Sequence, residues 1–316
     1  MTKIATKGGM QKLILNLLKA LGSKAIMMYL FISIVTAVCL NPYQNKEPKI
    51  IDCTMGGESA HQEFLKKSIP TAVFLDTSRH LFDTGSDGLH PYPTKEQVIT
   101  AMQNIGVTLD DKIVLYSQSG KHMSTARVYH ILKAYGFHDV TVLDGGLHKY
   151  IQDGHPTVPG VDYSGPPSVI EDLADPSPYM IDMDEIIEFA HGNRPNMQII
   201  DSRDIESYYG KDPGLLAGYL PGVKQGHVPG SINIPYYHFI DPVDQTFLEP
   251  LEIEQILVSY GIDKTKDIVL MCRTGNTSKI LYLILEIAGY SDVKLYDGSW
   301  YEYGAGNGPV HNPSLG

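Results

Sequence analysis

Ile268-Val269-Leu270-Met271-Cys272-Arg273-Thr274-Gly275-Asn276-Thr277-Ser278 is an apolar run that stops at a cysteine and passes into a short polar segment containing a glycine. The apolar part reads as a buried strand. The stretch from Ile280 to Ala288 reads as a helix, ended by Gly289, which suits the left-handed conformation of a helix C-terminus. The same order of features occurs earlier in the chain: a strand over Ile113–Tyr116, Ser117 and a polar loop, then a helix from Ala126 to Tyr135 that ends at Gly136. Both copies are entered alike, through Gly106-Val107 and Asp111-Lys112 in one and through Gly261-Ile262 and Lys266-Asp267 in the other.

The match extends outward. Each unit closes with a strand before Asp-Gly, at Asp144-Gly145 and at Asp297-Gly298. Upstream, Lys49–Asp52 parallels Gln198–Asp201, and Ile69–Val73 parallels Val228–Ile232. Alternating strands and helices predict an α/β fold with mainly parallel sheets. A duplication this long predicts tandem domains and not a short-period solenoid. The expected layout is a leader or anchor over 1–48, a first domain over 49–155, a Pro/Gly-rich solvated linker over 156–177, a second domain over 178–304 and a tail over 305–316.

Bulk properties narrow the function. The 316 residues are 43% hydrophobic and 19% charged, as in a folded globular protein. A net charge of -11 lacks the basic footprint of a nucleic-acid binder. Three cysteines, Cys39, Cys53 and Cys272, have no spacing that suggests a disulfide framework or a zinc site, which favours a reduced compartment. The histidines form no metal-ligand pattern, so neither metal nor cofactor is expected. Residues 1–46 carry lysines at 3, 7, 12, 19 and 24 before an apolar run over 25–40, with no acidic residue. That run is short for a spanning helix and reads as a targeting signal or anchor, offering a membrane contact through 25–40. An amphipathic helix packed on the body is the alternative.

Cys272 sits where a strand gives way to a helix. Backbone N–H groups of such a loop converge on one point, and the helix adds its positive N-terminal end, so a thiol there ionises readily. A merely buried structural cysteine is the competing reading, but a polar loop with a glycine is a poor core and a good anion cradle.

These segments, together with Gly226-His227-Val228-Pro229-Gly230-Ser231-Ile232-Asn233-Ile234-Pro235, Asp201-Ser202-Arg203 and Tyr296-Asp297-Gly298-Ser299-Trp300, resemble the tandem-domain rhodaneses, the thiosulfate and 3-mercaptopyruvate sulfurtransferases, from about Lys49 to Gly304. The resemblance implies two rhodanese-like domains, each a mainly parallel sheet flanked by helices, the first silent because Ser117 stands at the cysteine position. It implies a persulfide on Cys272 that carries sulfur from a small-molecule donor to cyanide or to a thiol acceptor such as glutathione or thioredoxin. It also implies a mitochondrial or cytoplasmic location, while the leader leaves a secretory or membrane-anchored form open.

By the same resemblance, Thr274 occupies the position of a catalytic serine and His90 that of its histidine partner, while Arg273, Gly275, Asn276, Thr277 and Ser278 form the substrate-binding loop. Arg273 beside the thiolate is expected to draw in thiosulfate, making that donor at least as good as 3-mercaptopyruvate. Three departures bear on the donor: the family's aspartate aligns with Ser78, its donor-binding arginine with Ser207, and a second such arginine is missing from 211–225. Arg203 is expected to pair beneath the loop, Asp201 and Asp297 to serve turns, and Trp300 to pack. A phosphatase of the related fold would need an arginine at Ser278, and a non-catalytic interaction module would not need Cys272.

Overall fold

A computed structural model describes residues 47–83, 89–212, 218 and 220–315; the leader, with its apolar run 25–40, lies outside them. The first sheet comprises Lys49–Asp52 (β1), Val73–Phe74 (β2), Ile113–Tyr116 (β3) and Val140–Val142 (β4), in the order β2-β1-β3-β4. The second comprises Met197–Asp201 (β5), Ile232–Asn233 (β6), Asp267–Met271 (β7) and Val293–Leu295 (β8), in the order β6-β5-β7-β8. All ladders are parallel, and the registers repeat: Asp52 lies opposite Phe74 and Tyr116, and Asp201 opposite Asn233 and Met271. Both faces of a parallel sheet are covered by its crossover helices, which is why β3 and β7 are nearly continuous apolar runs.

The helices of the first half are Glu58–Lys66 (α1), Thr77–His80 (α2), Lys95–Asn104 (α3), Met123–Ala134 (α4) and Gly146–Gln152 (α5). Those of the second are Met183–Ala190 (α6), Ile205–Tyr208 (α7), Pro250–Ser259 (α8), Thr277–Ile287 (α9) and Ser299–Ala305 (α10). Gly136 and Gly289 follow α4 and α9 with φ of 94° and 77°, as their sequence positions predict. The two helices begin three residues earlier than the apolar pattern suggests, so Thr277 and Ser278 belong to the first turn of α9 and not to a loop.

Helices α4 and α9 pack on each other, and each is buried almost all round. α9 is mostly apolar, and α4 carries Arg127 and His130 into the same core. Ile131 and Leu132 of α4 join Ile284 and Leu285 of α9 in one apolar cluster that also takes in Ile51, Leu115, Ile200 and Leu270 from both sheets. The two domains therefore share a core. Residues 154–176 lie against the first domain: Val158 bridges Ser68, Gly160 bonds Phe64, Ala174 bonds Tyr135, and Ile170 and Leu173 are buried. Ile170 and Leu173 and these few bonds tie the linker to the first domain, while most of its residues are exposed. His311 of the C-terminal stretch likewise bridges His227. No helix among the described residues is long and apolar enough to cross a membrane.

Ile284 is fully buried at the α4–α9 contact, so Ile284→Ala should cost about 2–5 kcal/mol of stability. Because the core is shared, chemical denaturation followed by fluorescence and by circular dichroism should still give one coincident transition. Two separated transitions would show that the domains unfold independently.

Candidate active site

Cys272 stands just past the C-terminal end of β7, the edge at which open parallel sheets bind ligands. Its N–H donates to Ser299 Oγ at 3.1 Å, and its carbonyl accepts from Trp300 N at 3.0 Å. Ser299 adopts φ of 52°, a left-handed conformation costly for a residue with a side chain; the first domain has Gly146 at that place, with φ of 56°. Gly275 turns the loop with φ of 79°, and a Cβ there would run into Asp297 O. Beneath the loop, Arg203 forks onto Asp201 at 2.6–3.0 Å, donates to Gly226 O at 2.8 Å and stacks over Trp300.

Burial acts to raise the pKa of the Cys272 thiol, but hydrogen bonding outweighs it, from the Thr277 hydroxyl and from the N–H groups of Ser278 and Thr274. The net direction is down, as the strand-to-helix position predicts. Cys53 is equally buried, but desolvation and the charge of Asp52 push its thiol well above the ordinary value. Only one of these two buried cysteines is thus prepared to be an anion.

The mouth of the site is a cleft of about 710 Å³ between the domains, lined by His90, Pro91 and Tyr92 on one side and by Thr274, Asp297 and Tyr301 on the other. Across it His90 Nδ1 lies 2.8 Å from Thr274 Oγ1. Burial, and then the charges of Arg127 and Lys279, push the His90 pKa down against the pull of Asp297, so the ring is neutral near pH 7 and can take or give a proton. His90 is held there by Arg127, which is fully buried and donates to the carbonyls of Leu81, His90 and Pro91 and to Asn276 Oδ1.

Of the loop residues, Gly275, Thr277 and Ser278 lie about the Cys272 thiol, and the side chains of Arg273 and Asn276 are engaged within the protein. Arg273 turns from the cleft and pairs with Asp212, with Ser207 Oγ at 3.0 Å and Asp204 at 4.0 Å. Asp212 is buried and draws the guanidinium to itself, so Arg273 is held in an ion pair. The Asn276 amide is taken up by Arg127. Ser78, at the position of the missing aspartate, bonds Gly56 N and not His90. Trp300 is fully buried and packs, as expected. Asp297 exceeds the turn role assigned to it, because it pairs with Lys279, a fully buried lysine that sequence reasoning missed. A lysine directly before the apolar face of α9 was the available signal. Ser299, facing a glycine in the other copy, was another.

The matching loop of the first domain keeps the shape and loses the chemistry. Gly120 turns it with φ of 70°, Ser117 Oγ bonds Lys121 O at 3.3 Å, and no thiol is present. His122 fills the space, bonding Gln245 O at 2.6 Å and stacking on Phe247 of the second domain at 4.0 Å.

The sequence profile described as the rhodanese-like domain matches residues 36–153 and again residues 188–305. The chain is 31% identical over 261 residues to the 3-mercaptopyruvate sulfurtransferase of Mus musculus, covering 82% of this chain and 84% of the relative. It is 27% identical over 253 residues to the thiosulfate sulfurtransferase of Bos taurus, covering 78% and 81%. Among solved structures it is similar to the Tum1 protein of Saccharomyces cerevisiae, with a TM-score of 0.74, 26% identity and coverage of 87% and 95%.

Treated with iodoacetamide in the native state, the protein should be alkylated at Cys272 and spared at Cys53, with a rate-versus-pH midpoint for Cys272 below the ordinary thiol value of 9.0. Peptide mass spectrometry quantifies each site separately. Equal labelling of Cys53, or a Cys272 midpoint at or above that value, would contradict the electrostatics described.

Proposed function

Since the chain belongs to the rhodanese-like family, with two copies of the domain, we propose that it is a sulfurtransferase in which Cys272 carries the sulfur as a persulfide. The donor this arrangement supports best is 3-mercaptopyruvate. The observation behind that choice is the 2.8 Å contact between His90 Nδ1 and Thr274 Oγ1, a hydroxyl–imidazole pair contributed by the two domains beside the thiol. Arg273, the basis for expecting thiosulfate, is engaged by Asp212. The 31% identical mouse relative is itself named a 3-mercaptopyruvate sulfurtransferase.

In the first half-reaction the Cys272 thiolate attacks the donor sulfur. An S–S bond forms, the donor C–S bond breaks, and its electron pair leaves on carbon as the enolate of pyruvate. The proton of the donor thiol ends on that carbon, so the products are pyruvate and the anionic persulfide, and charge is conserved. Thr274 and His90 are the groups that move this proton, a need that thiosulfate does not have because sulfite leaves without one. The N–H groups of Thr274 and Ser278 and the hydroxyl of Thr277, which favour the thiolate, also favour the persulfide anion. In the second half-reaction cyanide, or a thiol acceptor such as glutathione or thioredoxin, attacks the outer sulfur and regenerates Cys272, giving ping-pong kinetics. No lysine or arginine lines the cleft among the described residues, so the donor carboxylate is weakly held and KM for it should be high.

Cys272→Ser should abolish transfer, and donor-treated wild type should gain one sulfur atom on the peptide holding Cys272. Thr274→Ala should lower kcat/KM for 3-mercaptopyruvate by roughly 10²–10⁴-fold and change the thiosulfate value little, as expected for loss of proton transfer. The measurement compares both donors under one fixed acceptor. Equal losses, or a wild-type preference for thiosulfate, would defeat the donor assignment, and turnover by Cys272→Ser would defeat the mechanism.

A further inference from the structure

Two buried cations stand behind the Cys272 loop. Lys279 is fully buried in the first turn of α9, where its Nζ donates to Gly275 O at 2.5 Å and to Asp297 Oδ1 at 2.5 Å, and lies 5.5 Å from the ring centre of Tyr92 in the other domain. Arg127 approaches from α4 and reaches the next loop residue, Asn276, at 3.0 Å. The carboxylate that acts on both is Asp297. A buried charge without a counter-charge is strongly disfavoured. Lys279 shares Asp297 with Arg127, and the charge of Cys272 is a further negative charge that acts on the ammonium.

We propose that Lys279 is a positioning residue for the sulfur carrier: its ammonium fastens the Gly275 carbonyl and Asp297 under the loop and, with Arg127, supplies from behind the positive charge that keeps Cys272 and its persulfide anionic. The cleft in front of the cysteine has no lysine or arginine among the described residues, and Arg273 is turned to Asp212, so positive charge reaches the loop from behind, beside the hydrogen bonds already described. The carboxylates of Asp83 and Glu302 also line the cleft, while the histidines and Tyr92 that face the cluster are uncharged near neutral pH. Tyr92 is held protonated by burial, and His90 and His130 are held neutral by burial and then by the same cations. At Lys279 burial and the charge of Arg127 pull the pKa down, Asp297 and the charge of Cys272 hold it up, and the net direction is down.

The proposal rests on Cys272 as the sulfur carrier, but its readout is the ionisation of the thiol, which needs neither donor nor acceptor. The pH dependence of iodoacetamide alkylation at Cys272 would be measured for full-length wild type, Lys279→Met, Lys279→Arg and Asp297→Asn, with folding checked by circular dichroism. Lys279→Met should raise the midpoint by roughly one unit, a tenfold loss of thiolate below it, and Asp297→Asn should lower it. Lys279→Arg should stay near wild type. Opposite shifts are the signature of charge; if both neutralising variants move the midpoint the same way, Lys279 merely supports the loop and the proposal fails. An unchanged midpoint in folded Lys279→Met overturns it as well. Should Lys279→Met not fold, Asp297→Asn carries the test, and a midpoint that is unmoved or raised there overturns the proposal. A wild type that ionises as described but takes up no sulfur would sink the sulfurtransferase reading and leave the role of Lys279 standing.

Discussion

A guanidinium with no access to water has to find its hydrogen bonds within the protein, and Arg127 finds them on both sides of the domain boundary. Three carbonyls of the 81–91 segment and the amide of Asn276 converge on it, with the Phe82 ring 3.9 Å from its centre. Each acceptor is fixed by the need to satisfy a charge that would otherwise be stranded. The segment carrying His90 and the loop carrying Cys272 are thereby referred to one point. The contact between His90 and Thr274 follows from that constraint and does not require the two residues to attract each other.

The duplicated sheets show how the same backbone hosts different electrostatics. Asp52 and Asp201 end corresponding strands, and both are buried. Asp201 is answered by the guanidinium of Arg203, whereas Asp52 has the hydroxyl and N–H of Thr54 and the amide of Gln118, and burial pushes its pKa up. The first copy thus holds an under-compensated negative charge next to its own cysteine, Cys53, and a serine at the end of β3. The second holds compensated charge beneath a thiol and positive charge behind it. Backbone shape survived in both copies, and the sign of the field did not.

Much of this was legible in the residues. Periodicity and the duplicated order gave the strands, and β1 and β3 have the bounds read from the sequence. The resemblance to the rhodaneses stands on the match of both halves to the domain profile. Cys272 could be singled out because a strand, a glycine and a helix follow one another within a few residues, which is local information. What could not be read depends on partners distant in the chain. Arg273 looked free because Asp212 lies far upstream, and nothing in either stretch announces the other. Lys279 looked like one more polar residue at a helix start, since its burial is imposed by α4 of the other domain. The connection between the domains is largely exposed, and its proline and glycine content could not reveal the few points, Val158, Gly160, Ile170 and Leu173, at which it is tied to the first domain.

The shared core also bears on how the site is reached. Many two-domain enzymes admit substrates by swinging apart about a hinge, on timescales set by that rigid-body motion. Here α4 and α9, Arg127 with Asn276, and Lys279 over Tyr92 all span the would-be hinge plane. Opening it would expose apolar surface and strand two charges together. Traffic to Cys272 is therefore confined to local movements at the rim of the cleft, and turnover should be paced by small, fast excursions of side chains and short loops while the two halves stay closed.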